Sequence, residues 1–365
     1  MPQETVAALA VTPGVEGSLH HTTVALPPLG PTDVLVQTIR VGVCGTDREI
    51  IRGDIGEAPA NADDLVLGHE VVGHVAAIGA EVTTLSPGQI VTATVRRPDD
   101  CPTCLAGEPD MCLWQGFTER GIFRAPGFLA AQFVEDQRWL IPVPDPLVAT
   151  AVLIEPLTVV EKAVRQAELI QQRLAYWQLE RALVVGAGPI GILGTLLLRA
   201  KGVDVTTVAR TPGPTPASRL IEASGAHYRS LKEEALPEIA AEIGNIDLII
   251  ESSGSAEIAF EALRVLGTNG VEVLLSITGD DRPIPLPADE LNTGIVGGNK
   301  VVVGSVNAGA IDFVNAVDRL ARFEELWPGL TEQMITNRLT FGPDIDLRQI
   351  IEKSPGEIKT TIEFA

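Results

Sequence analysis

Hydrophobic and polar residues are arranged differently in the first and the middle third of the chain. Up to about residue 95, short apolar runs partly alternate with polar residues and are separated by Gly and Pro, a pattern typical of β-strands. Beyond about residue 155, a helical period appears and then alternates with short, almost continuous apolar runs. Strands are therefore predicted at residues 34–41, 70–77, 89–95, 182–185, 205–208, 247–250, 271–277 and 301–306, and helices at 157–173 and 192–199.

The alternation of strands and helices in the middle third predicts a parallel sheet that is covered by helices. A chain of 365 residues exceeds one ordinary core, so two or three domains are expected. The sequence thus predicts an α/β protein in which a β-rich part precedes a doubly wound parallel sheet. About 60 residues of mixed character follow that sheet.

The charge of the chain narrows its expected partners. Its 48 acidic and 27 basic residues give a net charge of −21, which argues against nucleic acid and anionic membranes as partners. No apolar run reaches the length of about 18 residues that a membrane-spanning helix needs. The N-terminus has neither the basic nor the apolar region of a signal peptide, so a cytoplasmic protein is expected.

A glycine-rich turn lies between a predicted buried strand and a predicted apolar helix. The segment Gly186-Ala187-Gly188-Pro189-Ile190-Gly191 has the spacing of dinucleotide-binding turns. In such turns the first glycine permits the bend, the second lets the backbone approach the pyrophosphate, and the third lets the helix pack on the strand. An ordinary glycine turn is the alternative, but the strand before it and the helix after it favour NAD(P) binding.

The second predicted strand of this region ends without the acidic residue that an NAD-preferring site carries about 20 residues after the turn. Arg210 stands there instead, between Ala209 and Thr211. Because a guanidinium binds a 2′-phosphate through paired hydrogen bonds, NADP is the expected cofactor, with use of NAD as well. A solvated surface arginine is the alternative.

Potential metal ligands occur in two places. Cys44, His69 and Glu70 offer a thiolate, an imidazole and a carboxylate, which suit a zinc ion that keeps one position for substrate. Taken singly, each is more often a packing or surface residue, so the set carries the argument. Cysteines also cluster at 101, 104 and 112, which in a cytosolic protein indicates a metal site rather than disulfides.

The order of these motifs resembles that of the zinc-containing medium-chain dehydrogenases over essentially the whole chain. The shared segments are GVCGTD at 42–47, LGHEVVGHV at 67–75, the three-cysteine lobe, IEP at 154–156 and GAGPIG at 186–191. Within that superfamily the chain is similar to the archaeal-type glucose 1-dehydrogenases. TVRRP at 94–98 and VGSVN at 303–307 carry most of that likeness.

The resemblance implies a GroES-like β-rich catalytic domain and a Rossmann domain, with the active site in the cleft between them. The implied bounds are 1–157 for the catalytic domain, with a structural zinc lobe at about 96–115, then 158–303 for the Rossmann domain and 304–365 for a return to the catalytic domain. The implied metal ligands of the catalytic zinc are Cys44, His69, Glu70 and Glu155.

The resemblance also implies roles in substrate and cofactor binding. Thr46 matches the hydroxyl that relays the substrate proton, and substrate contacts are implied for Thr46, Glu119, Glu155 and Asn307. Cofactor contacts are implied for Gly186, Ala187, Gly188, Pro189, Ile190, Gly191, Ala209, Arg210, Thr211, Ser276, Ile277, Thr278, Ser305, Val306 and Asn307.

Two positions depart from the pattern of the superfamily. Many relatives have a fourth cysteine three residues before Cys101, where this chain has Pro98. Asp99 or Asp100 would then complete a structural zinc site with Cys101, Cys104 and Cys112, or the lobe is metal-free. The histidine that ends the proton relay in some alcohol dehydrogenases is Glu49 here.

The expected reaction is the zinc-assisted oxidation of D-glucose or a related aldose at C1 to the lactone, with NAD(P) as hydride acceptor. A homo-oligomer, dimeric or tetrameric, is expected to carry it out. One alternative is a zinc-dependent alcohol, polyol or threonine dehydrogenase on the same scaffold. The other, from a different class, is a zinc-free protein that only binds NADPH.

Overall fold

The structure, a computed structural model, describes residues 5–279 and 283–364. The chain divides into two compact units. Unit 1 comprises Met1–Glu155, Asn307–Ala321 and Ile335–Ala365, and unit 2 comprises Pro156–Val306 and Arg322–Met334. The predicted domains were 1–157, 158–303 and 304–365. The observed division differs from them chiefly in that residues 322–334, expected in the third domain, belong to the second unit.

Strands and helices are numbered along the described chain. The strands are β1 Thr5–Val11, β2 His20–Ala25, β3 Asp33–Val43, β4 Leu65–Val66, β5 Glu70–Ile78, β6 Ile90–Ala93, β7 Arg96–Arg97, β8 Thr118–Arg120, β9 Arg124–Ala125, β10 Gln132–Asp136, β11 Leu140–Val143, β12 Arg181–Val185, β13 Asp204–Ala209, β14 His227–Ser230, β15 Leu248–Glu251, β16 Val271–Leu274, β17 Val301–Gly304, β18 Ile335–Thr340 and β19 Lys359–Glu363. The α-helices are α1 Gly45–Arg52, α2 Pro102–Leu105, α3 Ile154–Gln171, α4 Pro189–Ala200, α5 Pro216–Ala223, α6 Leu236–Ile243, α7 Ala256–Val265, α8 Ala288–Gly297, α9 Ala310–Leu326 and α10 Arg348–Ile351.

Unit 1 is built on a largely antiparallel sheet with the order β11-β6-β5-β3-β19-β18, in which β10 also pairs with β3. The alternating sequence of β3 explains its place, because every second residue from Val34 onwards is buried against the core. The C-terminal strand β19 lies antiparallel to β3, with Thr360 opposite Val43. Two small sheets, β2-β1-β4 and β7-β8-β9, complete the unit.

Unit 2 contains a six-stranded sheet with the order β14-β13-β12-β15-β16-β17, in which every pairing is parallel. Its central strands are continuous apolar runs, as expected of strands covered on both faces. Leu183, Val185 and Ile249 pack there against residues from helices α6 and α7. The predicted doubly wound sheet and the α/β class are confirmed.

The eight predicted strands are all present and differ from the structure mainly at their ends, whereas the other strands of the described chain were not predicted. β16 ends at Leu274 rather than at residue 277, because its neighbour β15 ends at Glu251, the residue paired with Leu274. β14 was not predicted, since His227–Ser230 has no apolar run and lies at the edge of the sheet. None of the helices in the described part of the chain combines the length and the apolar character that crossing a bilayer requires.

Candidate metal and cofactor sites

Pairing of two neighbouring strands brings Cys44, His69 and Glu70 together. Cys44 directly follows β3 and caps α1, whereas His69 and Glu70 stand at the start of β5, where Gly42 pairs with Glu70. The ligand atoms of the three side chains lie within 4.8 Å of one another. Gly42 is required for this arrangement, because a Cβ there would lie 1.9 Å from Oε2 of Glu70. We call these three residues the catalytic group, after the role that the resemblance implies for them.

Asp47 orients the histidine of this group. Its Oδ1 lies 3.6 Å from Nδ1 of His69, and its Oδ2 accepts a hydrogen bond of 2.8 Å from the backbone N–H of Cys44. Burial alone would lower the pKa of His69, but the Asp47 carboxylate and Cys44 raise it well above its usual value. In the sequence Asp47 stands out only as part of GVCGTD, without a predicted role of its own. Its position three residues after Cys44 was the available signal.

Lys359 is a second residue that sequence reasoning missed. Its Nζ lies 2.6 Å from both carboxylate oxygens of Glu70, and both side chains are almost fully buried. Burial alone would lower the pKa of Lys359, but Glu70 and Cys44 raise it. The only hint in the sequence was a lysine at the first position of the short C-terminal strand β19. Its partner, however, lies 289 positions away.

Glu155 and Thr46 lie in the same unit as the catalytic group but are not members of it. Burial raises the pKa of Glu155 to about 7; His69 opposes this shift and Glu70 adds to it. Glu155 therefore lies within electrostatic reach of the predicted metal ligands. Thr46 stands in the first turn of α1, two residues after Cys44, and is partly exposed.

The donor atoms of the catalytic group fit a zinc ion. Thiolate, imidazole and carboxylate are its usual protein ligands, and three of them leave one tetrahedral position open. Nδ1 of His69 and Oδ1 of Asp47 are buried and have no hydrogen-bond partner in the described part of the chain. A hydrogen bond between a histidine and a carboxylate orients a metal-binding imidazole, and at 3.6 Å this pair is slightly longer than such a bond.

A second group is formed by Asp99, Cys101, Cys104 and Cys112, whose ligand atoms also lie within 4.8 Å of one another. Asp99 accepts hydrogen bonds from the backbone N–H of Cys101, at 2.9 Å, and from Sγ of Cys112, at 3.1 Å. Hydrogen bonds from Cys101 hold the pKa of Asp99 well below its usual range. We call Asp99, Cys101, Cys104 and Cys112 the lobe group. Of the two predicted alternatives for its fourth ligand, the structure includes Asp99 and leaves Asp100 outside.

Glu119 and Asn307 are in direct contact. Nδ2 of Asn307 donates a hydrogen bond of 2.7 Å to Oε1 of Glu119 across 188 positions of sequence, and both residues belong to unit 1. Oδ1 of Asn307 accepts from the backbone N–H of Ala308, and its φ of 58° turns the chain sharply there. The structure thus brings together two of the residues predicted to bind sugar hydroxyls.

The turn between β12 and α4 has the form that a dinucleotide pyrophosphate requires. Gly186 has a φ of 109°, and a Cβ on Gly191 would lie 2.0 Å from the carbonyl oxygen of Gly186, so neither position tolerates another residue. A Cβ on Gly188 would meet nothing within 4 Å, so the space beside the helix N-terminus is open. Pro189 and Ile190 form the first turn of α4 and Ala187 lies in the bend. The residues present fit a bound pyrophosphate.

The other predicted cofactor contacts follow the carboxyl ends of strands in the same sheet. Ala209 ends β13, and the exposed Arg210 and Thr211 come next. Ser276, Ile277 and Thr278 follow β16, while Ser305 and Val306 follow β17. The buried Glu251, which sequence reasoning missed, accepts hydrogen bonds from the side chains of Ser253 and Ser276 and so ties the loop after β15 to the loop after β16. Ligands of open α/β sheets bind at this edge.

The fold and the two sites define a zinc-containing dehydrogenase of the alcohol dehydrogenase type. Residues 30–145 match the alcohol dehydrogenase GroES-like domain, and residues 148–364 match the glucose dehydrogenase C-terminus. The chain belongs to the archaeal-type glucose 1-dehydrogenase family.

Individual relatives are similar over nearly their whole length. A glucose 1-dehydrogenase of Methanocella arvoryzae is 42% identical, covering 98% of this chain and 99% of the relative. That of Thermoproteus tenax is 40% identical, covering 90% of this chain and 92% of the relative. The structure of Haloferax mediterranei glucose dehydrogenase in complex with NADP, Zn and gluconolactone is 30% identical, with a TM-score of 0.87 over 98% of this chain and 99% of that one.

Proposed function

We propose that this protein oxidises D-glucose or a closely related aldose at C1 to the lactone, with NADP as the preferred hydride acceptor and NAD as a second one. The contact between Glu119 and Asn307 carries the proposal. A carboxylate and an amide held together in the unit that also holds the catalytic group match paired sugar hydroxyls. A polar site of this kind penalises substrates that lack them.

The chain's own residues supply binding, orientation and a route for the proton. Glu119 and Asn307 hold sugar hydroxyls, and Glu155 adds a buried carboxyl group within electrostatic reach of the catalytic group. The hydroxyl of Thr46 passes the proton of the C1 hydroxyl toward solvent, as a positioned relay rather than a strong base. Glu49, one turn further along α1, is the carboxylate available to take over that proton.

Two bound groups complete the chemistry. When held by Cys44, His69 and Glu70, zinc supplies Lewis-acid polarisation of the C1 hydroxyl, and the nicotinamide supplies the hydride acceptor. Asp99, Cys101, Cys104 and Cys112 would hold a second, structural zinc. Arg210 supports the preference for NADP, because an exposed guanidinium at the end of β13 suits a 2′-phosphate.

We also propose that the chain forms a homo-oligomer in the cytoplasm. β17 is an edge strand of the parallel sheet, and Val302 on it is 39% exposed. Pairing of two such edges around a two-fold axis would cover them. The clustered cysteines suit a metal site in a reducing compartment. Light scattering of the wild type and of Val302→Lys tests the assembly: a smaller mass for the variant supports it, and equal masses contradict it.

A substrate panel with a matched pair of variants tests the proposed function. Initial rates with aldoses, polyols and simple alcohols, each with NADP and NAD, should show glucose or a close aldose as the best substrate. Glu119→Gln should lower kcat/KM for the sugar by about ten- to hundredfold, the effect of losing a hydrogen bond to a charged group. Glu135→Gln is the control, because Glu135 pairs with Arg97 in the same unit and does not touch Asn307.

Two outcomes would contradict this proposal. If a polyol or ethanol is the best substrate, the chain retains the fold and chemistry of its superfamily but not the proposed substrate. If Glu119→Gln and Glu135→Gln lower sugar turnover equally, Glu119 supports the structure and does not bind the sugar.

A further inference from the structure

Arg96 belongs to the TVRRP segment that carries much of the likeness to glucose dehydrogenases, and it takes no direct part in the proposed mechanism. It stands on the two-residue strand β7, directly opposite Glu119 on β8. Its guanidinium is almost fully buried, with 7% of the side chain exposed. A buried arginine is costly unless its donors are satisfied, so its contacts show what it does.

Arg96 holds one oxygen of the Glu119 carboxylate. Its Nε and Nη2 both lie 2.8 Å from Oε1 of Glu119, the same oxygen that accepts from Nδ2 of Asn307. Two hydrogen bonds, from Nε of Arg96 and Nδ2 of Asn307, therefore converge on Oε1, and Nη2 of Arg96 adds an ion-pair contact. Glu119 is almost fully buried, with 5% of the residue exposed. Its second oxygen, Oε2, nevertheless accepts no hydrogen bond within the described part of the chain. The arrangement fixes the carboxylate plane and leaves Oε2 as the acceptor for a ligand hydroxyl.

The same guanidinium is anchored on the three-cysteine lobe. Nη1 of Arg96 donates a hydrogen bond of 3.2 Å to the carbonyl oxygen of Asp110, and its Cζ lies 3.7 Å from the ring centre of Phe117. Asp110 lies in the short 3₁₀ turn Pro109–Met111, directly before Cys112. The path of the backbone around the lobe group thus determines where one arm of the guanidinium is held.

Asp110 also lies against the segment that follows Asn307. A Cβ on Gly309 would lie 2.8 Å from Oδ1 of Asp110, so Gly309 permits a close approach of the two segments. The backbone N–H of Gly309 donates to Oδ2 of Asp312, which closes the turn after Asn307. The lobe therefore borders both partners of the pair, Glu119 through Arg96 and Asn307 through Gly309.

We infer that Arg96 is a positioning residue for sugar recognition: it fixes the Glu119 carboxylate so that one oxygen faces the substrate, and it ties that carboxylate to the three-cysteine lobe. This inference rests on the proposed function. Arginine is required because Nε and Nη2 reach Glu119 while Nη1 reaches Asp110, and a lysine ammonium cannot replace this planar fork. Arg97, which points to Glu135 with Nη2 at 2.6 Å, serves a different carboxylate.

Variants of the two neighbouring arginines test the inference. Arg96→Lys and Arg96→Gln should lower kcat/KM for the best aldose by roughly 10- to 100-fold, mainly through KM, as expected when a contact to a charged group is lost. Arg97→Gln, which breaks a comparable pair on the same strand, should change kcat/KM less than threefold. NADP affinity and the melting temperature, measured for every variant, separate a positioning effect from a loss of folding.

Monodeoxy analogues of that aldose give a sharper readout. The wild type should discriminate against the analogue that lacks the hydroxyl bound by Glu119, and both Arg96→Lys and Glu119→Gln should lose this discrimination. In a double-mutant cycle, Arg96→Gln should add little to Glu119→Gln, because the arginine acts through the carboxylate.

The outcomes separate this inference from the proposed function. A wild type that prefers no sugar contradicts both. A sugar-selective wild type in which Arg96→Lys keeps full discrimination, or in which the effects of Arg96→Gln and Glu119→Gln simply add, overturns the inference about Arg96 alone. Equal losses for the Arg96 and Arg97 variants also overturn it, since they would mark a purely structural role.

Discussion

The two units build their sites in opposite ways. In unit 2 the pyrophosphate turn is six consecutive residues, Gly186–Gly191, set between a strand and a helix that adjoin it in sequence. In unit 1 the catalytic group joins Cys44 to His69 and Glu70 through pairing of β3 with β5, and its charge partner Lys359 comes from the far end of the chain. A local turn is specified by its own residues, whereas the catalytic group forms only when the strands of a whole sheet pair in the correct register.

The two units also differ in how their buried charged side chains are compensated. Unit 1 pairs them across strands, as in Glu70 with Lys359 and Arg96 with Glu119. In the middle of the unit 2 sheet, Glu272 is fully buried, and neither of its carboxylate oxygens has a hydrogen-bond partner among the described residues. Unit 1 thus uses ion pairs to hold a site in place, while in unit 2 the carboxyl group of Glu272 is buried without a hydrogen bond from any described residue, at a cost in stability.

The largest effect should come from breaking the unit 1 site while sparing unit 2. Cys44→Ala removes a thiolate of the catalytic group and should lower kcat by at least about a thousandfold, because the Lewis acid contributes several kcal/mol to the barrier. NADP affinity, measured by fluorescence titration, should stay within twofold. Cys104→Ala is the control, since it removes a thiolate of the lobe group instead. Full activity of Cys44→Ala with no zinc by elemental analysis would falsify the zinc mechanism.

A large loss of stability should follow when the buried ion pair between Glu70 and Lys359 is broken. Lys359→Met leaves the buried Glu70 carboxylate without its cation, which typically costs about 3–5 kcal/mol. Denaturant unfolding of metal-free protein should show this loss, and added zinc should recover part of it, because the ion then faces the same carboxylate. Lys201→Met, which breaks a half-exposed pair with Glu168, should cost less than about 1 kcal/mol. Equal losses in the two variants would contradict the role given to Lys359.

What could be predicted from the sequence follows the same division. The Rossmann sheet and its glycine turn were predictable because each is a contiguous pattern with a known local geometry, while the role of Arg210 stays a prediction. Cys44, His69 and Glu70 were predicted as zinc ligands from their residue types and again from the resemblance, but the strand register that joins them was not predictable from their spacing. Lys359 and Arg96 were not assigned roles, because an ion pair over 289 positions and a clamp on Glu119 appear only once the strands are aligned.

The choice of cofactor should respond to a change confined to unit 2. Arg210→Ala should weaken NADP binding by tenfold or more and leave NAD nearly unchanged, since a charge-assisted contact is worth roughly 1.5–3 kcal/mol. Arg181→Ala, at the opposite end of β12, is the matched control. Affinities for both cofactors, measured by titration at one fixed ionic strength, test this. An unchanged ratio of NADP to NAD affinity would remove Arg210 from the 2′-phosphate site.

The smallest effect concerns the buried carboxyl group of unit 2. Burial raises the pKa of Glu272 to about 8 from a usual 4.5; Glu251 adds to the shift and Lys300 opposes it. Below pH 4.5 the group is neutral in both the folded and the unfolded chain, so it costs no charge burial. Between 4.5 and 8 the unfolded chain releases the proton while the folded one retains it, so stability falls as the pH rises.

Glu272→Met should remove this dependence and fill the same space with an apolar side chain. Its gain in unfolding free energy over the wild type should grow from pH 4.5 to pH 8 and then stay constant. Glu222→Met, at an exposed position on α5, should give a gain that does not change with pH in that range. Urea unfolding at several pH values makes the comparison. If the Glu272→Met gain is as flat as that of the control, the Glu272 carboxyl group has a proton partner or solvent access that lowers its pKa, and the contrast in buried charge between the two units does not hold.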